Sequence, residues 1–82
     1  MLSESQLRRA MRHYLRVISG KPVSNDQPVK KYLPKGGFGT ATPDRIFKSM
    51  IKYALHVNRN RIKKWPTNWR DLSINQLAPK LL

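Results

Sequence analysis

Arg45, Lys48, Lys52, His56 and Arg59 are separated by 3, 4, 4 and 3 residues. On a helix turning about 100° per residue, such steps keep all five side chains in one narrow stripe. The apolar Ile46, Phe47, Met50, Ile51, Ala54 and Val57 fall opposite, and Lys63 extends the row if the helix persists. A second row, Arg9, Arg12, His13 and Arg16, stands opposite Leu7, Met11, Tyr14 and Ile18. The chemistry such rows offer is neutralisation of phosphate.

The plainer reading is that any amphipathic helix in a basic protein has a basic outside. That reading does not supply the lack of acid. After their capping turns, neither row holds an Asp or Glu for the i,i+4 pairing that supports an exposed face. Arg12 with Arg16, and Lys48 with Lys52, instead place like charges four apart, each pair destabilising by about 0.2–0.5 kcal/mol. A phosphate-rich ligand would remove that penalty.

Cations are densest in Arg59-Asn60-Arg61-Ile62-Lys63-Lys64, just ahead of Trp65. Arg59, Arg61, Lys63 and Lys64 suit backbone phosphates, whereas Asn58 and Asn60 have the amide geometry for an adenine edge or a phosphate oxygen. Trp65 suits stacking on an unpaired base or, equally, a place in the core; Trp69 is expected in the core. Lys35-Gly36-Gly37-Phe38-Gly39-Thr40 offers backbone N–H groups and one positive charge. It fits neither G-x-x-x-x-G-K-[ST] nor G-x-G-x-x-G, so a nucleotide-triphosphate loop is not expected. A segment following a nucleic-acid backbone, with Lys35 as contact and Phe38 as wedge, is one reading; a hinge before Thr42 is the other.

Other chemistries find little support. His13 and His56 are the only histidines, and the carboxylates Glu4, Asp26, Asp44 and Asp71 are scattered. No two stand at acid–base spacing on one element, no His/Asp/Glu group has metal-ligand spacing, and no nucleophile motif surrounds the serines. Neither catalysis, a metal nor a cofactor is expected.

The elements that must position these rows are signed locally. Ser3 and Gln6 have capping-box spacing, Glu4 complements the helix dipole, and Ser19-Gly20 supplies a stop, which predicts a helix over 4–18. Pro22, Pro28, Pro34 and three glycines make 20–42 an irregular loop carrying four lysines, in which Val29–Leu33 could form a short strand. Thr42, Pro43 and Asp44 open a second helix, expected over 43–59. Trp65-Pro66 breaks the chain, and Ser73–Gln76 repeats the capping-box spacing. Ile74, Leu77 and Ala78 then begin a short helix that Pro79 should interrupt or end, within a C-terminal segment of 65–82. Leu72–Ala78 resembles the opening helix of a helix-turn-helix, but Pro79 and the missing turn glycine depart from that pattern. A recognition helix is expected at 43–59 instead.

Composition bounds the outcome. The chain has 82 residues, 17 Lys+Arg against 4 Asp+Glu, a net charge of +13 and no cysteine. Disulfide scaffolds and thiolate metal sites are thereby excluded, and no apolar run approaches the roughly 18 residues that cross a bilayer. With 39% hydrophobic residues the chain is too apolar for a disordered basic tail. The expectation is a mainly α, small single domain over 1–82: two amphipathic helices, a long basic Gly/Pro-containing loop and a short C-terminal helical segment. Its expected partner is nucleic acid, double-stranded DNA first and RNA second, and its expected place is the cytoplasm, nucleoid-associated or within a larger nucleoprotein complex. Such a chain would suit an accessory or regulatory factor of a phage or mobile element. The alternatives are a ribosome-associated RNA binder, a factor docking on an acidic face of a nucleic-acid enzyme, and a membrane-active helix.

Overall fold

A computed structural model describes residues 3–34, 42–57 and 65–81, with the side chains of 55–57 outside the description. Within these residues the chain is mainly helical: α1 (Glu4–Ser19), α2 (Pro43–Val57) and α3 (Ile74–Leu81), with 3-10 turns at Val29–Tyr32 and Trp69–Asp71. No strand forms among them; one isolated antiparallel bridge joins Pro28 to Ser73.

α1 starts where its capping box closes. The Gln6 N–H donates to Ser3 Oγ at 3.1 Å, and the Ser3 N–H donates to Gln6 Oε1 at 2.8 Å. It ends at Gly20, whose φ of 67° is left-handed and whose N–H donates to the Arg16 carbonyl at 2.8 Å. That left-handed residue reverses the chain and sets Pro22 and Val23 beside α1. α2 opens on Thr42, whose hydroxyl accepts from the Arg45 N–H at 3.3 Å, with Pro43 in the first turn, where a missing N–H matters least. α3 repeats the box. The Gln76 N–H donates to Ser73 Oγ and the Ser73 N–H to Gln76 Oε1, at 3.3 and 3.0 Å.

Pro79 does not end α3. The helix continues to Leu81, because Leu77, Ala78 and Leu81 bury one side of it while Pro79 stays exposed. Proline there forfeits a single backbone bond, which three buried apolar side chains outweigh.

Val29–Leu33 forms no strand either. Three residues per turn place Val29 and Tyr32 together on the buried side of a 3-10 turn, leaving Lys30 and Lys31 outside; a strand would have alternated them differently. This connection is stitched to the C-terminal segment. The Val29 N–H donates to the Leu72 carbonyl at 2.9 Å and the Asn75 N–H to the Asn25 carbonyl at 3.1 Å. Asn75 Nδ2 donates to Asp26 Oδ1 at 2.8 Å, and the Tyr32 hydroxyl accepts from the Ser24 N–H at 2.9 Å.

One core joins all of these pieces. Leu7, Met11 and Leu15 of α1 meet Phe47 and Ile51 of α2 and Ile74, Leu77, Ala78 and Leu81 of α3, with Val29, Tyr32 and Trp69 closing the sides. Every one of these positions comes from an apolar face, which leaves the opposite faces to the cations.

Candidate functional site

Arg9, Arg12 and Arg16 are exposed on the side of α1 opposite Leu7, Met11 and Leu15. With His13, Pro22 and Val23 they line a trough of about 460 Å³. One wall is the helix. The other is the segment that Gly20 turns back, with Val23 packed against the core and Pro22 exposed.

Arg45 and Lys48 stand on the outer side of α2 and line a second, larger hollow of about 620 Å³ with Lys30 and Arg70. The two concavities share no lining residue. α1's arginines and α2's cations are therefore not gathered into one depression. Lys52 is exposed further along α2.

The carboxylates decide the electrostatics. All four of the chain's acids are described, and each has a partner away from the α1 row. Arg8 donates to Glu4 at 2.6 Å, Lys30 to Asp71 at 2.8 Å, Asn75 to Asp26 at 2.8 Å, and Arg70 to Asp44. Among the described residues, Arg9, Arg12, Arg16, Arg45 and Lys52 consequently have no carboxylate partner. The second hollow differs from the trough in this respect, since Asp44 is part of its lining and Asp71 holds Lys30.

Lys48 has a further neighbour. Its Nζ lies 5.5 Å from the Trp65 ring centroid and 5.8 Å from that of Trp69, within cation–π range of both. Trp65 is half-buried and meets Trp69 edge-on at 5.2 Å and Phe47 edge-on at 6.2 Å, while Phe47 and Trp69 stack at 5.9 Å. Both indoles thus belong to one aromatic cluster, and Trp69 is the more deeply buried, at 3% exposure.

The expected contacts at Lys35, Asn58, Arg59, Asn60, Arg61, Lys63 and Lys64 lie outside the described residues, as does the His56 side chain. Sequence spacing did not single out Lys30 or Arg70, which join Arg45 and Lys48 through the fold; the signal was the isolated Asp44 and Asp71, each needing a cation. Nor did it single out Tyr53, which is 69% exposed one residue after Lys52. No three His, Asp or Glu side chains among the described residues gather as metal ligands would, and none of the described helices is long and apolar enough to cross a membrane. No protein-family model, curated protein or solved structure matches this chain.

Proposed function

We propose that this chain binds nucleic acid, double-stranded DNA in the first instance, as an accessory or regulatory factor. Phosphate contacts by the exposed cations of α1 and α2 supply the affinity. The observation that carries the reading is the distribution of acid: with all four carboxylates engaged elsewhere, Arg9, Arg12, Arg16, Arg45 and Lys52 face outward unmatched. Seventeen cations against four acids repel one another in the folded chain, and a phosphate backbone relieves that repulsion. By sequence alone, Lys35, Arg59, Arg61, Lys63 and Lys64 are further phosphate contacts, and Asn58 and Asn60 supply base-edge contacts.

The test is fluorescence anisotropy of a labelled mixed-sequence duplex across a salt series. Affinity should fall by at least about 100-fold between roughly 50 and 200 mM salt if about four or more phosphates are neutralised. A nearly flat response defeats the electrostatic account. An unlabelled folded RNA in the same titration ranks the two nucleic acids: stronger competition than unlabelled duplex makes RNA the partner.

A further inference from the structure

Resting on that reading, we infer that the seat of binding is the α1 trough, and that it takes one sugar–phosphate strand. Four features single it out from the α2 side. The trough has arginine as its only fully charged lining residue, at Arg9, Arg12 and Arg16, and no carboxylate. Arginine presents a planar fork that grips a phosphate through two N–H donors, whereas lysine offers a point charge. In the second hollow two of the four cations are already matched, Arg70 by Asp44 and Lys30 by Asp71, and Lys48 rests over two indoles. A phosphate arriving there meets the Asp44 carboxylate in the lining.

The third feature is length. Arg9 to Arg16 is seven residues, so the guanidinium-bearing positions span about 10 Å of helix axis. Consecutive phosphates along one strand stand farther apart than the roughly 3.4 Å rise per phosphate on the duplex axis, so about two of them face the three arginines. The fourth is the far wall. Pro22 and Val23 offer apolar surface where the sugars of such a strand would lie, and His13 adds a ring to the lining. A convex strand fits a trough with one cationic and one apolar wall; a flat solvated helix face would have no second wall. The strand can belong to a single-stranded nucleic acid or be one edge of a duplex.

Two variants of the full chain test this: the triple Arg9→Ala/Arg12→Ala/Arg16→Ala and the double Arg45→Ala/Lys52→Ala. Each is titrated against a labelled mixed-sequence single strand of about 20 bases and against its duplex, both several times longer than the trough. At roughly 100 mM salt the triple should weaken binding by at least about 30-fold and lower the salt slope by about 2. The double should weaken it at least tenfold less than the triple, by about threefold. A smaller gap between the two variants, or an unchanged slope in the triple, overturns the assignment while nucleic-acid binding stands. If the unmodified protein binds neither probe, the broader reading falls. The charge-conserving Arg9→Lys/Arg12→Lys/Arg16→Lys variant separates charge from folding: it should recover most of the slope that alanine removes, and failure to recover any also counts against the trough. Preference for one probe by the unmodified protein identifies which source of strand it uses.

Discussion

Trp69 shows how much a single side chain carries in a domain this small. It is buried against Phe47 and Trp65 and roofed by Lys48 and Arg70, the latter with its guanidinium carbon 4.8 Å from the indole centroid. Trp69→Ala should lower stability by about 3–5 kcal/mol, measured by urea unfolding, a large share of the total for a chain of this length. Lys48→Ala removes only a partly solvated cation from above the rings and should lower it by less than about 1 kcal/mol. A comparable loss in the two would show that the ammonium, and not the indole, organises the cluster. Trp69 was legible as core from its place between Pro66 and Leu72. Trp65 was not, because its half-buried place against both Phe47 and Trp69 follows from the fold and not from local spacing.

Helix ends were the most legible elements, since capping is local chemistry. Ser3 with Gln6, Thr42 with Arg45, and Ser73 with Gln76 all close as capping requires. The connection at 20–34 was illegible in detail, because the Val29–Leu72 and Asn75–Asn25 bonds join positions more than forty residues apart. No periodicity encodes such a pairing. Two substitutions test the caps. Ser73→Ala, at a buried cap, should destabilise by about 1 kcal/mol. Gly20→Ala should do so by about 1 kcal/mol as well, purely through the left-handed backbone, because a Cβ at Gly20 meets no atom within 4 Å. If thermal unfolding shows either variant unchanged, that cap does not hold its helix end.

For the whole molecule, charge balance is the governing quantity. The radius of gyration is 11.8 Å, close to the roughly 12 Å expected for a compact chain of this length, yet the net charge is +13. The ion pairs offset little of that repulsion: Lys30 and Asp71 are about 60% exposed on both sides, and such pairs contribute less than about 1 kcal/mol. Added salt should therefore stabilise this protein. Its Tm should climb steadily as NaCl rises from about 20 to about 300 mM, while the affinity for a duplex falls over the same range. A Tm that stays level would mean the cations lie far enough apart to ignore one another.

Both of the chain's tryptophans sit in the same aromatic nest, beside the hollow that Lys48 lines and outside the lining of the α1 trough. Intrinsic emission is thus a built-in gauge of one neighbourhood only. An oligonucleotide seated along the arginines should leave the indole spectrum nearly untouched, even at saturation. One drawn to Lys48 and Arg70 would dim or shift it, so a label-free titration distinguishes the two seats without changing a residue.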